Sequence, residues 1–556
     1  MNISGSIRRL SQVFIILFVA LSGGLVYWQA VVAQQVTANI RNGRHCLPDT
    51  APIRGRIFDR NGILLADSKL IDPNNPPIND AAVCGYQRHY YLKDYPSLAA
   101  LIGFYIGPNY TSTGIEKHFD AYLSGQKGFS VLGNTVNQAL HRPPIGNDIY
   151  LTIDTRIQKI AEHYFDKDAP RVNNPIGLPI IDNRVVFATN RGSVVVSDPH
   201  TGEVLAMVSR PTFDSNRIAA GDFAYFDQLN ANPDQPLLER PLQSRYVPGS
   251  TYKTVTLLAA LDSGTMQMSE PFDQKQAIGP IILGGERFGP TGNNIEHVVH
   301  HFPVSLAYGY AHSDNIIFAQ VGVKTGSQTW LDYNRRFYVE RDIPFDLPVA
   351  RSHVLPNGQQ TLSDAQLGEN AFGQGVDFIT PMQMSMFDNG IANNGNLMRP
   401  YVVMKIQTPP ANTTTTPAPV GDTTVIFSNS PQSLGNPISD QTANQVRYGM
   451  YGVVRCGSGA VVEKLTTSPW AIIAKTGTGE VGGAAHPQAW LITQAPYHNP
   501  QLTIVGMREN GGEGGYLAGP MIADMYHDIF TQVMKSQLPP PIDPFNPYCY
   551  EQGFVN

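Results

Sequence analysis

The chain has 556 residues, too many for one compact core, so two or more domains are expected. Hydrophobic residues make up 42% and charged residues 15%, which is ordinary for a folded protein. A formal net charge of −6 implies no strongly basic face for nucleic acid, and none is expected as a partner.

The first predicted element lies at the N-terminus. Arg8 and Arg9 precede a stretch, residues 13–33, that carries no charged residue, and no acidic residue occurs before Asp49. Roughly 20 such residues span a bilayer as a helix. The two arginines place the N-terminal tail in the cytoplasm and the bulk of the chain outside, with Tyr27 and Trp28 at the outer interface. Val31-Val32-Ala33 before Gln34 also fits a signal-peptide cleavage site. The uncharged segment is longer than an ordinary signal-peptide core, which favours a retained anchor. The expected division is a cytoplasmic tail (1–11), a transmembrane anchor (12–34), a mostly β, loop-rich pedestal (35–148), a catalytic domain (149–536) and a C-terminal tail (537–556).

Within the pedestal, Asp59-Arg60-Asn61-Gly62 reads as a turn before the apolar run Ile63-Leu64-Leu65. Residues 149–153 read as a strand, and Asp154 as the cap of a helix through Ile157, Ile160 and Ala161. Residues 165–191 read as a loop. Residues 193–196 and 204–208, joined by the turn Asp198-Pro199-His200-Thr201-Gly202, read as a hairpin of a central sheet. Residues 250–261 are helical in pattern, and the Thr- and Pro-rich tract 410–424 is a low-complexity loop. Residues 471–474 and 502–507 read as buried strands, and 519–534 as a closing helix. Strands between helical runs predict a mixed α/β or α+β catalytic domain.

Four cysteines, Cys46, Cys84, Cys456 and Cys549, permit three pairings. Pairing within each domain gives Cys46–Cys84 and Cys456–Cys549, with free thiols as the alternative. Their spacing does not resemble a zinc site.

Three short motifs carry chemistry. In Ser250-Thr251-Tyr252-Lys253, after Pro248-Gly249 and before an apolar helix, the serine and lysine share one helical face. A serine hydroxyl needs a base to attack, and a buried lysine can lose its proton near neutral pH and serve as one. Ser313-Asp314-Asn315 precedes a second apolar helix. Ser313 can relay protons and Asn315 can bind a peptide group, although Ser, Asp and Asn are also ordinary helix caps. Lys475-Thr476-Gly477-Thr478 directly follows the strand at 471–474. Its cation and hydroxyls suit a carboxylate, and Gly477 permits close approach of a substrate backbone. Two decoys share the patterns. Ser124-Gly125-Gln126-Lys127 is a glycine-containing turn, and Lys324-Thr325-Gly326 sits at a helix end with no preceding strand. Taken singly, each motif is explained by ordinary caps and turns. Serine-x-x-lysine, serine-x-asparagine and lysine-threonine-glycine, in that order and setting, form the set found in penicillin-binding proteins and class A β-lactamases.

The sequence resembles the class B penicillin-binding proteins, the elongation and division transpeptidases of the PbpA type, over nearly its whole length. Arg54-Gly55-Arg56-Ile57-Phe58-Asp59-Arg60-Asn61-Gly62 and Gly114-Ile115-Glu116 are similar to pedestal signatures. Tyr246-Val247-Pro248-Gly249-Ser250, Gly373-Gln374-Gly375, Thr380-Pro381-Met382-Gln383, His486 with Trp490, and Glu509-Asn510-Gly511-Gly512 resemble landmarks of the catalytic domain. The resemblance implies the penicillin-binding-protein/serine β-lactamase-like fold and a peptidoglycan D,D-transpeptidase. Ser250 would attack the penultimate D-alanine carbonyl of a stem peptide ending in D-Ala-D-Ala, with Lys253 as base. Ser313, linked to Lys475, would pass a proton to the leaving D-alanine. Asn315 would bind the donor peptide or a β-lactam side chain. Thr476 and Thr478 would bind the terminal carboxylate, and the N–H groups of Ser250 and Thr478 would form the oxyanion hole. β-Lactam antibiotics would acylate the same serine, and no metal or organic cofactor is needed. With no glycosyltransferase module in the first 150 residues, the family implies a SEDS-type (RodA/FtsW-like) glycosyltransferase partner in the membrane. The competing readings are a β-lactamase, a D,D-carboxypeptidase and a non-catalytic scaffold of the same fold.

Overall fold

The computed structural model describes residues 3–27, 52–79, 83, 85–108, 110–128, 143–167, 189–289, 302–410, 423–460, 462–482 and 485–540. At its centre is a five-stranded antiparallel sheet. Its strands run, in spatial order, Ile473–Gly479, Gln488–Ala495, Leu502–Arg508, Gly192–Ser197 and Val204–Arg210. The last four are buried along their whole length. That explains why they read as apolar runs without polar alternation: helices cover both faces.

Successive residues divide between the two faces, as the strand period of two requires. Val194, Val196, Leu491 and Ile504 pack with Ile157 and Phe165 of the helix Thr155–Lys167 and with Met521 and Tyr526 of the helix Gly514–Asp528. Val195, Ile492 and Val505 join the larger core on the other side. That core takes Val255 and Leu258 from the helix Lys253–Asp262, Met384 from Pro381–Ala392 and Val446 from Asp440–Arg455. The Lys253–Asp262 helix is buried from Lys253 through Leu261, so its near-continuous apolar pattern reflects a central position.

Two expected bounds are corrected. The strand expected at 471–474 is observed as Ile473–Gly479, so Lys475-Thr476-Gly477-Thr478 lies inside it. Ala471 is held out of the strand by a φ of 50°, while pairing with the neighbouring strand continues through Thr478↔Ala489 and Gly479↔Gln488. The closing helix begins at Gly514, not at 519, and its α-helical part ends at Asp528, followed by a π-helical turn, Ile529–Val533. Gly514 is a packing glycine at that helix start, because a Cβ there would lie 2.0 Å from the carbonyl oxygen of Trp490.

The remaining large sheet has six strands. In spatial order they are Val425–Ser428, Val403–Gln407, Asp148–Leu151, Ile57–Phe58, Leu64–Leu70 and Tyr86–Tyr90. Residues on both sides of the expected boundary near 148 therefore share hydrogen bonds. Asp148–Leu151 pairs with Ile57–Phe58 in parallel and with Val403–Gln407 antiparallel. The pedestal motifs serve this junction. Arg54 and Arg88 converge on the fully buried Glu116, at 2.8 Å (Nη2–Oε2) and 2.6 Å (Nε–Oε1). Burial pushes the Glu116 carboxyl up, but the two guanidinium groups outweigh it and hold the pKa below the usual value. Asp59 accepts from the N–H groups of Asn61 and Ile63, each at 2.8 Å, and from the hydroxyl of Thr155 at 2.8 Å. It thereby closes the predicted turn and ties it to the first helix after the boundary.

The helix Ile3–Val26 exposes Val13 through Val19 and Leu21. Among the described residues no helix is long and apolar enough to cross a membrane. Residues 28–34 of the expected anchor lie outside the described residues, as do most of the 165–191 loop and of the 410–424 tract. Cys456 is disulfide-bonded. Cys46, Cys84 and Cys549 lie outside the described residues, and with them the expected pairings.

Candidate active site

The site assembles where the edge strand Ile473–Gly479 meets the start of the Lys253–Asp262 helix. A 3-10 turn, Gly249–Tyr252, precedes that helix and carries Ser250 at its first turn. Gly249 has a φ of 55°, and a Cβ there would lie 2.3 Å from the carbonyl oxygen of Thr478, so only glycine lets the turn and the strand approach this closely. The turn is held from three sides. The Gly249 N–H donates to the carbonyl of Gly373 at 2.9 Å. The Trp490 indole N–H donates to the carbonyl of Val247 at 3.0 Å. Tyr246 O–H donates to Glu509 at 2.6 Å, and Glu509 also receives Arg240 at 2.7 Å.

Lys253 is fully buried. Its Nζ lies 2.7 Å from Ser250 Oγ, 2.8 Å from the carbonyl oxygen of Ser313, 2.5 Å from Asn315 Oδ1 and 3.2 Å from Ser313 Oγ. The carbonyl and the amide oxygen can only accept. They can take both N–H bonds of a neutral amine and leave its lone pair for the hydroxyl hydrogen of Ser250. Burial pushes the Lys253 amine down to about 7, against an opposing pull from Asp314.

Ser313 stands at a φ of 62°, which turns the chain sharply just before the helix Asn315–Thr325. Asp314 is the cap of that helix, accepting from the Ile317 N–H at 2.9 Å. The capping and site readings of this motif therefore both hold. The middle residue caps, and the flanking Ser313 and Asn315 reach Lys253. Ser313 Oγ also accepts from Lys475 Nζ at 2.9 Å, so one hydroxyl bridges the two lysines. Lys475 is fully buried and donates as well to the carbonyl of Thr476 at 3.0 Å. Burial drives its amine well below the ordinary lysine value, and charge on Lys253 drives it further. Neither lysine is ion-paired with an acid among the described residues.

Thr476 and Thr478 lie on the free edge of the strand. The carbonyl of Thr478 accepts from Gln374 Nε2 at 3.2 Å, and Thr476 Oγ1 is 2.6 Å from Ser458 Oγ. The space left by Gly477 lets the strand close on the Ser250 turn. A Cβ there would lie 2.7 Å from Thr251 Cγ2 and 2.8 Å from the carbonyl oxygen of Pro248. The structure thus brings together Ser250, Lys253, Ser313, Asn315 and Lys475, with Thr476, Gly477 and Thr478 along the adjoining strand edge. The decoys stay apart. Lys324 ends its helix in an exposed ion pair with Glu270 at 2.5 Å, and Ser124 closes the short helix Asp120–Leu123. Gln374 and Ser458 were given no role from sequence. The glycines around Gln374 were a signal for it, and Ser458 had none. Among the described residues there is no cluster of three or more potential metal ligands.

The family signature of the penicillin-binding protein transpeptidase domain matches residues 192–531. The chain is 29% identical over 538 residues to the peptidoglycan D,D-transpeptidase PbpA of Mycolicibacterium smegmatis, covering 93% of this chain and 97% of that protein. It is 26% identical over 482 residues to the peptidoglycan D,D-transpeptidase MrdA of Escherichia coli K12, covering 77% and 66%. The crystal structure of PBPA from Mycobacterium tuberculosis superposes with a TM-score of 0.70 at 27% identity, over 86% of this chain and 99% of that one. The imipenem acyl-enzyme complex of penicillin-binding protein A from the same organism gives 0.69 at 27% identity, over 86% and 98%. With more than half of its length inside the signature, around a serine backed by two buried lysines, the chain belongs to the penicillin-binding protein transpeptidase family.

Proposed function

We propose that this protein is a class B peptidoglycan D,D-transpeptidase with Ser250 as its acylated nucleophile. The observation that carries the reading is the 2.7 Å approach of Lys253 Nζ to Ser250 Oγ, with two carbonyl oxygens placed to accept the hydrogens of a neutral amine. In this mechanism Lys253 takes the Ser250 proton as Oγ attacks the carbonyl of the penultimate D-alanine. The oxyanion forms at the N–H groups of Ser250 and Thr478. The first belongs to a helix-opening turn, where backbone donors lack intrahelical partners. The second lies on the outer strand edge, on the side to which the Thr478 carbonyl also points. The proton then passes through Ser313 to the departing D-alanine nitrogen, and the C–N bond breaks to leave the acyl-enzyme. The terminal carboxylate, held by Thr476 and Thr478, favours a charged Lys475 beside it. An amine of a second stem peptide attacks the ester, forms the crosslink and returns the proton to Ser250. A β-lactam follows the first half of this course and stays attached.

Acylation on this mechanism requires neutral Lys253. As pH falls through about 7 the amine takes up a proton and loses its lone pair, so the rate declines. The acylation rate with fluorescent penicillin should be about a tenth of its plateau one pH unit below that value. A rate that stays level between pH 5 and 8 would remove Lys253 as the base.

A hydrolytic β-lactamase is the second reading, and it needs a carboxylate to activate water against the ester. Among the described residues no carboxylate hydrogen-bonds Ser250, Lys253 or Lys475, which supports transfer over hydrolysis. The lifetime of the penicilloyl-enzyme, followed by intact mass, tests the proposed function. Persistence for minutes or longer is expected, and rapid turnover to free penicilloate would assign a hydrolase.

The proposal extends to location. An exposed apolar helix surface is costly in water, and Val13 through Val19 would be covered by lipid. With Arg8 and Arg9 inside, the chain would be a single-pass membrane protein with residues 12–34 as anchor, residues 35–148 as pedestal and the 149–536 catalytic domain outside the cell. A SEDS-type glycosyltransferase would supply the polymerised glycan strand.

A further inference from the structure

The hydroxyl of Thr476 is met by a turn outside all three motifs. The helix Asp440–Arg455 ends at the disulfide-bonded Cys456. The chain then folds back, with the Gly457 N–H donating to the Gly452 carbonyl at 3.1 Å and the Gly459 N–H to the Val453 carbonyl at 2.9 Å. Between them the Ser458 N–H donates at 2.9 Å to the carbonyl of Ala311, two residues before Ser313. A Cβ on Gly457 would lie 1.9 Å from that same oxygen, so the turn is wedged against the Ser313 loop. On its other side, Ser458 Oγ stands 2.6 Å from Thr476 Oγ1. The methyl of Thr476 lies on the Gly515 side, where an added Cβ would come within 3.1 Å of Thr476 Cγ2.

We propose that Ser458 is a positioning residue for the substrate carboxylate, acting through Thr476. The inference rests on the reading that Thr476 binds that carboxylate. Each hydroxyl has one hydrogen to give. When Ser458 donates to Thr476 Oγ1, the hydrogen of Thr476 must point elsewhere, and the cleft side is where an acceptor arrives. The chain Ser458 O–H to Thr476 O–H to carboxylate is then head-to-tail, and each bond polarises the next. Without Ser458 the Thr476 hydrogen can settle on a competing acceptor and must be turned back when substrate binds. Ser458 touches no reacting atom in this scheme, so its contribution appears in binding and not in the covalent step.

The test uses the full chain and two probes, penicillin G and its methyl ester, and resolves binding from acylation by stopped-flow. For Ser458→Ala the expected result is a dissociation constant for penicillin G about tenfold higher, the scale of one hydrogen bond to a charged group. The covalent rate constant should change less than twofold, the ester should not respond, and Ser458→Thr should restore the acid. Thr476→Val should lose the preference for acid over ester altogether. Equal weakening of acid and ester in Ser458→Ala would show a merely structural residue and overturn the proposal, and so would no change in either. A preference lost in Thr476→Val but kept in Ser458→Ala overturns the role of Ser458 alone. A preference kept in Thr476→Val but lost in Ser458→Ala overturns the route through Thr476 and, with it, that residue's place in carboxylate binding.

Discussion

Replacing Ser250 with alanine abolishes covalent labelling by fluorescent penicillin and leaves the folded protein intact. Ser250 is only half-buried, and its described side-chain contact is with Lys253, so the change removes one oxygen and opens no core cavity. Loss of a serine nucleophile in comparable acyl-transfer enzymes costs about 10⁶ in rate, which amounts to no labelling on any practical timescale. Ser313 is the competitor, with Oγ 3.2 Å from Lys253 Nζ and 2.9 Å from Lys475 Nζ. It lacks what makes Ser250 productive. It precedes the cap of its helix and its hydroxyl already accepts from Lys475, whereas Ser250 sits in the helix-opening turn whose N–H group is a proposed oxyanion donor. A thermal melt alongside the labelling, with a midpoint close to wild type, separates lost chemistry from lost fold. Label mapped by mass spectrometry to Ser313 or any other serine in the variant would refute the assignment.

The site was legible from sequence because its chemistry is local in the chain. Ser250 and Lys253 are one helical turn apart, Ser313 and Asn315 straddle a cap, and Lys475 to Thr478 are consecutive. Each cluster is distinguished by its own neighbours, which separates it from the decoys at Lys324 and Ser124. What stayed hidden depends on contacts across long sequence separations. Gln374 finds the Thr478 carbonyl 104 positions away, and the backbone N–H of Ser458 finds Ala311 across the Ser313 loop. Nothing periodic marks either residue. Glycine packing stayed hidden for a related reason. Gly477, Gly479 and Gly514 each sit where a neighbouring backbone or side chain comes too close for a Cβ, a contact that no local pattern announces. The pedestal boundary blurred because Asp148–Leu151 is shared, pairing with Ile57–Phe58 on one side and Val403–Gln407 on the other. A short strand of four residues carries no sign of partners so distant in sequence.

Lys475 and Lys324 both stand in lysine-threonine-glycine triplets, and their alanine variants should differ by orders of magnitude. Lys324 is half-exposed and pairs with Glu270 at the surface, a contact worth about 0–1 kcal/mol. Lys324→Ala should acylate within twofold of wild type. Lys475 is fully buried, holds Ser313 Oγ at 2.9 Å and has no acid to pair with among the described residues. Its removal leaves no orphaned carboxylate, so the fold should survive with a modest loss of stability. The chemistry should not survive as well. Ser313 loses the donor that orients its hydroxyl for proton relay, and the cleft loses an amine that can meet the substrate carboxylate. Removing one such preorganised group costs about 10²–10³ in rate, so acylation of Lys475→Ala should slow at least a hundredfold. The pH profile gives an independent reading. Burial, the main cause that lowers the Lys253 amine, is left in place by the substitution, so the residual rate should still fall as pH drops through about 7. Equal acylation rates in the two variants would mean that the edge strand does not carry the third element of the site.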